Sequence, residues 1–245
     1  MVMGLLVVLI FVLGPGLSSF QRIEVERDGA RATKARLEAA MARFNQRCAG
    51  AGERVTRTAE QIDGLVIMNT RPEALSHSDQ FLMDDPYGRN CVGGDDCIAS
   101  YLFDYRMVQS GAGLEPSTPR VYQFVDVVDA AGQRYRYTKD SPNAPLMRSP
   151  TSESAPRYGV LWTDVSSRED RDDWIAGGSI RVVDLLTQEV IAERIGYLID
   201  VGQGARGGGR SPWNWARSNG PVCPSVGDHN VTFVAKVLQP RGSKQ

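Results

Sequence analysis

The stretch SIRVVDLLTQEVIAERIGYLID, residues 179–200, decides how the chain is read. Ser179 to Leu186 and Val190 to Asp200 are two β-type runs flanking Thr187-Gln188, the pattern of antiparallel strands joined by a tight turn. Val121 to Val128 and Arg134 to Thr138 repeat the pattern around Asp129-Ala130-Ala131-Gly132-Gln133. Further strands are expected at Val55 to Thr58, Ile62 to Met68, Tyr158 to Val165 and Val231 to Leu238. Tyr101 to Val108 fits both periods. Tyr101, Phe103, Tyr105 and Met107 alternate, while Ile98, Tyr101, Leu102 and Tyr105 have helical spacing; the aromatic content favours a strand. The Ser/Pro-rich stretch 140–156 and the Gly/Pro/Trp-rich stretch 202–229 read as loops.

Working toward the N-terminus, Ser166-Ser167-Arg168-Glu169 resembles a capping box opening a short helical turn that carries Trp174 and Ile175. Residues 28–49 form the clearest helix, with Ala30, Thr33, Leu37, Met41, Phe44 and Cys48 on one stripe, Asp28 as N-cap and Gly50 as C′ glycine. Arg31, Arg36, Arg43 and Arg47 lie mostly off that stripe and read as a solvated face, the functional alternative being attraction to anionic lipid.

These pieces predict an α+β chain: an N-terminal apolar, signal-anchor-like helix, an amphipathic helix, and one domain on a mainly antiparallel sheet of about six to eight strands. The segments are 1–20 for the anchor or signal peptide, 21–50 for the amphipathic helix, 51–240 for the sheet domain and 241–245 for a disordered tail.

The apolar run Val2 to Leu13 is shorter than the ~20 residues of a comfortable membrane span. No basic residue precedes it, Pro15 would end or kink a helix, and Gly16-Leu17-Ser18 is the best cleavage candidate. It is read as an uncleaved anchor, with a cleaved signal and a buried core helix as alternatives. Arg22, Arg27, Arg31, Lys34 and Arg36 follow the run, which opposes export under the positive-inside bias.

The four cysteines point the other way. An even count behind an export-like segment reads as two disulfides, with three pairings to choose from and free buried thiols as the alternative. Cys91 and Cys97 bracket a short flexible loop. A Cys48–Cys223 bond would staple the helix to the C-terminal loop and contribute on the order of 4 kcal/mol in the chain-entropy model. C-x5-C is not a usual zinc spacing, and there is no Cys-x-x-Cys.

Composition narrows the chemistry. A net charge of −1 gives no case for a nucleic-acid partner, and the only histidines are His77 and His229. Gly202-Gln203-Gly204-Ala205-Arg206-Gly207 matches G-x-G-x-x-G, but Gly208-Gly209-Arg210-Ser211-Pro212 cannot open a helix, so no dinucleotide site is expected. In the same loop Arg206, Arg210 and Arg217 surround Trp213 and Trp215, a set suited to a protein or glycan partner, with Arg206, Arg210, Trp213 and Trp215 as the candidate contacts. The plain structural alternative has both tryptophans capping the open end of the sheet. Asp84-Asp85 and Asp95-Asp96 fail the calcium-loop template, and these clusters, with the acidic residues of 168–173, read as solvated acidic turns.

Cys223 and His229 form the one tempting nucleophile–base pair, lost if Cys223 is oxidised, and Asp126, Asp129, Asp164 and Asp184 could meet from separate strands. Asn230-Val231-Thr232 is a glycosylation sequon. No cofactor or metal is expected. The expected function is a non-catalytic interaction module, exported or membrane-tethered and facing the periplasm or exterior, or secreted. Its partners are the membrane, through the N-terminal segment, and a protein or glycan. The alternatives are a secreted hydrolase and a structural subunit of an envelope assembly.

Overall fold

A computed structural model describes residues 2–70, 95–103, 121–129, 131–203, 220–224 and 230–241, with the side chains of 2–20, Asp96 and Asn230 outside the description. The chain divides into two compact units, Met1–Arg43 and Phe44–Gln245. Helix α1 (Val2–Cys48) supplies the first unit and the opening turn of the second. It runs through Pro15 and Asp28, so neither the break nor the N-cap expected there occurs. Ala30 and Thr33 of the predicted stripe are exposed; burial begins at Leu37 and is complete at Ala40 and Phe44. Exposed pairs Arg31–Asp28 and Lys34–Glu38 hold the outer surface at helical spacing. Among the described residues no helix is long and apolar enough to cross a membrane.

The second unit is built on a nine-stranded sheet, with a separate two-stranded sheet beside it. The strands are β1 (Gly52–Val55), β2 (Ala59–Ile62), β3 (Gly64–Ile67), β4 (Phe124–Val128), β5 (Arg134–Thr138), β6 (Met147–Pro150), β7 (Tyr158–Asp164), β8 (Ile175–Asp184), β9 (Glu189–Ile199), β10 (Val222–Cys223) and β11 (Leu238–Pro240). The main order is β1-β9-β8-β7-β3-β4-β5-β6, with β10 also on β9; β2 and β11 form the small parallel sheet. Both predicted hairpins are present, β4–β5 and β8–β9, so the antiparallel reading holds for most of the sheet. Two antiparallel meanders, β4-β5-β6 and β7-β8-β9, join along β3, which is parallel to both β4 and β7. Buried on both faces, β3 reads Gly-Leu-Val-Ile with no alternation, as a central strand flanked by parallel neighbours should.

Three short segments differ from expectation. The region from Tyr101 begins inside helix α2 (Asp95–Leu102), and Val231 to Leu238 is helix α4 (Asn230–Val237) running into β11. In each case helical spacing wins: Ile98, Tyr101 and Leu102, and Phe233, Val234 and Val237, present one face to the core. The 140–156 loop contains edge strand β6, all four residues exposed. Arg241, placed in the expected tail, is fixed by Asp63 at 2.7 Å.

The pairing register places the core. Leu65, Ile67, Val125, Val127, Val160 and Val182 share one face, and α2 and α4 close over it. Burying each such side chain contributes about 1.5–3 kcal/mol. The opposite face carries Gly64, Gly159 and Gly177 under Phe124, Met68 and Tyr197, where an added Cβ would sit within 2.3–2.7 Å of the overlying side chain. That face therefore accepts large side chains lying flat on the strands.

Candidate functional site

The second face of β8 and β9 gathers polar side chains in rows. Directly opposed residues share a face, so Arg181, Glu193 and Arg54 form one row across β8, β9 and β1. Ser179, Ile195 and Gly52 form the next, and Gly177, Tyr197 and Cys223 the third. Glu193 is the hub. Its Oε1 accepts the Ser179 hydroxyl at 2.8 Å and Arg181 Nε at 2.7 Å. Burial alone would raise the Glu193 pKa, but these two hydrogen bonds and the charges of Arg181 and Arg54 carry it below the usual glutamate value. Ser179 is buried, whereas the Arg181 side chain is 36% exposed, so an anchored base supports an accessible guanidinium.

The third row is braced. Cys48 is disulfide-bonded to Cys223, tying the end of α1 to β10, and Cys97 is also disulfide-bonded. Its expected partner, Cys91, lies outside the described residues. Helix α1 ends at Cys48, with Gly50 N–H on Arg47 O at 3.0 Å; the left-handed glycine is Gly52 (φ 128°), not Gly50. Arg47, predicted on a solvated face, instead donates from Nε to Asp170 Oδ1 at 3.0 Å. Asp170 is fully buried in helix α3 (Arg168–Asp172) and closes a capping box with Ser167, one residue later than the sequence pattern placed it. The hydrogen bond to Asp170, and then the negative charge of that carboxylate, raise the Arg47 pKa.

Beside this brace stands the base of the Gly/Trp-rich segment. Ile199 N–H donates to Pro221 O at 3.2 Å, Asp200 N–H to Trp174 O at 3.0 Å, and Gly202 N–H to Asp200 Oδ1 at 2.9 Å. Trp174 closes α3 in the left-handed region (φ 59°), where glycine is the usual residue. Residues 203 and 220 are thus the ends of a segment whose two roots lie side by side on β9. The predicted binding residues Arg206, Arg210, Trp213 and Trp215 lie within it, outside the described residues.

The strand carboxylates are not brought together. Asp126 accepts Arg136 Nε at 2.8 Å and Arg134 Nη1 at 3.2 Å. Asp164 accepts Arg171 and the Ser166 N–H. Asp129 caps its hairpin turn by accepting Ala131 and Gln133 N–H at 2.9 and 2.8 Å. Asp184 accepts Arg157 Nη2 at 2.8 Å and Arg57 Nη2 at 2.7 Å, and the hydrogen bond from Arg157 is the main cause holding its carboxyl at about 2. Each is an arginine acceptor or a turn cap. With Cys223 oxidised, a Cys223–His229 pair has no thiolate; His229 lies outside the described residues. Among the described residues no cluster of three or more His, Cys, Asp or Glu side chains is placed to hold a metal.

Sequence reasoning did not single out Ser179, Arg181, Glu193, Tyr197 or Arg54. Their signal is present as every-second-residue spacing, Ser179-x-Arg181 and Glu193-x-Ile195-x-Tyr197, but it acquires meaning only from the pairing register. No family model matches the chain, and no curated protein or solved structure is detectably similar to it.

Proposed function

We propose that this chain is an exported, disulfide-stapled interaction domain with no catalysis of its own, tethered or released through its N-terminal apolar segment. The observation that carries the reading is the Cys48–Cys223 bond, spanning 175 residues of sequence and accompanied by an oxidised Cys97. Stable disulfides form and persist in oxidising compartments, outside the reducing cytosol. The non-catalytic half is supported by the arginine partners of Asp126, Asp164 and Asp184. The binding half is supported by the polar rows on β8–β9–β1 and by the closed base of the segment holding Arg206, Arg210, Trp213 and Trp215.

Alkylation of intact cells before and after reduction tests the compartment. All four cysteines should resist labelling until a dithiol reductant is added, and the protein should fractionate outside the cytoplasm. Thiols that label freely without reduction would defeat the proposal. The binding residues are tested by Trp213→Ala/Trp215→Ala, which should abolish partner binding while leaving the melting temperature nearly unchanged. A large loss of stability would place both tryptophans in the core instead.

A further inference from the structure

The row Arg181–Glu193–Arg54 has more order than a solvated sheet face needs. Glu193 is only 18% exposed, and one of its oxygens receives both the buried Ser179 hydroxyl and Arg181 Nε. That arrangement fixes the guanidinium plane while engaging only Nε. Among the described residues no partner engages the Nη1–Nη2 edge of Arg181, which therefore stands open on a side chain already oriented. Arg54 flanks Glu193 from the opposite strand, is exposed, and among the described residues makes one long hydrogen bond, 3.4 Å to Gly50 O. Two guanidinium groups around one carboxylate leave the row with one net positive charge.

We propose that this row is a binding site for the paired carboxylates of an acidic-x-acidic peptide segment on a protein partner. The proposal deepens the interaction-domain reading and rests on it for biological meaning, although binding itself is a property of the purified chain. An open Nη1–Nη2 edge presents two parallel N–H donors that match both oxygens of a carboxylate, and a lysine in the same place would supply only a point charge. Arg181 and Arg54 lie on strands two spacings apart, about 10 Å, and alternate side chains of an extended peptide repeat at about 7 Å on one face. The flexible stem of exposed Arg54 bridges that difference, so one segment supplies a carboxylate to each guanidinium. Ile195 and Tyr197, in the next two rows of the same face, offer a half-buried apolar and aromatic surface for the flanking residues. Ser179 acts as a positioning residue through Glu193 and does not touch the ligand.

The test uses the full chain with its disulfides intact and a fluorescein-labelled Gly-Ser-Glu-Ser-Glu-Ser-Gly peptide, read by anisotropy, with the matching glutamine peptide as control. The glutamate peptide should bind, and the glutamine peptide should bind at least tenfold more weakly. Arg181→Gln should weaken glutamate-peptide binding at least tenfold, and Arg181→Lys should fall between the two. Arg54→Gln alters an exposed side chain, keeps the fold, and should weaken binding about threefold. Raising salt from 50 to 500 mM should weaken the wild-type complex.

Equal affinity for the two peptides, no binding by the wild type, or wild-type affinity in both Arg181→Gln and Arg54→Gln would overturn the proposal. Binding to vesicles containing 30% phosphatidylglycerol that depends on both arginines, without peptide binding, would assign the site to a lipid headgroup and overturn it equally. A cytoplasmic location with free thiols would defeat the export reading while leaving this peptide measurement intact, so the two failures are separable.

Discussion

Replacing both Cys48 and Cys223 with serine should remove a large share of the stability of the sheet domain. The bond closes a loop of 175 residues. In the chain-entropy model, constraining a loop of that length lowers the unfolded-state entropy by about 17 cal/mol/K, or about 5 kcal/mol at 25 °C. The native state loses less than the unfolded state gains, because Arg47 still holds the end of α1 to Asp170 and the short β10 ladder still pairs with β9. For a domain of this size each kcal/mol moves the melting temperature by about 2–4 °C, so the double variant should melt roughly 10–20 °C lower.

Guanidinium unfolding followed by circular dichroism is the decisive assay, because two quantities must move together. The midpoint should fall, and the m-value should rise as the released chain exposes more surface when unfolded. Simple reduction of the wild type is a poorer test, since it also opens the bond at Cys97. A midpoint and m-value within error of the wild type, or a melting shift below about 3 °C, would refute the argument that this cross-link restrains the unfolded chain.

Asp184 gives a pH signature. Its carboxyl is held at about 2, below the ordinary 3.8, so the stability it contributes is complete above 3.8 and is lost as pH falls from there through 2. Urea midpoints of the wild type and Asp184→Asn should differ by a constant amount above about pH 5 and converge toward pH 2; parallel curves down to pH 2 would contradict this. Gly177→Ala should cost about 1–3 kcal/mol through overpacking, since the new Cβ would lie 2.3 Å from the Tyr197 ring, and thermal melts would show it. Gln188→Gly should stabilise the β8–β9 turn by up to about 1 kcal/mol, because Gln188 sits at φ 62°, where glycine is unstrained. No gain in melting temperature would mean that the glutamine side chain compensates for the strain.

The local parts of the fold were legible. Residues 179–200 and 121–138 carry turn residues between β-type runs, and strand pairing across a short turn costs little loop entropy, so both hairpins follow from the residues that form them. That the cysteines pair was legible from their even count, whereas the choice of Cys48–Cys223 among three pairings came only with the structure. Helices α2 and α4 were not. Val231, Thr232, Phe233 and Val234 favour a strand by propensity, and only a core waiting for Phe233, Val234 and Val237 on one side overrides that preference.

Neighbours in the chain therefore enforce the turns, the capping box of α3 to within one residue, and the two β-type runs of β8 and β9. Packing between distant segments set the rest. It set β3 parallel to both β4 and β7, and turned Arg47 from a solvated face onto Asp170 across 123 residues. It also lined up Arg54, Glu193 and Arg181 from three strands, two of them more than a hundred residues apart in sequence. One cause underlies all three. Charges and hydrogen-bond donors carry no address in the sequence, and their partners are fixed only when burial of the apolar face sets the register of the sheet.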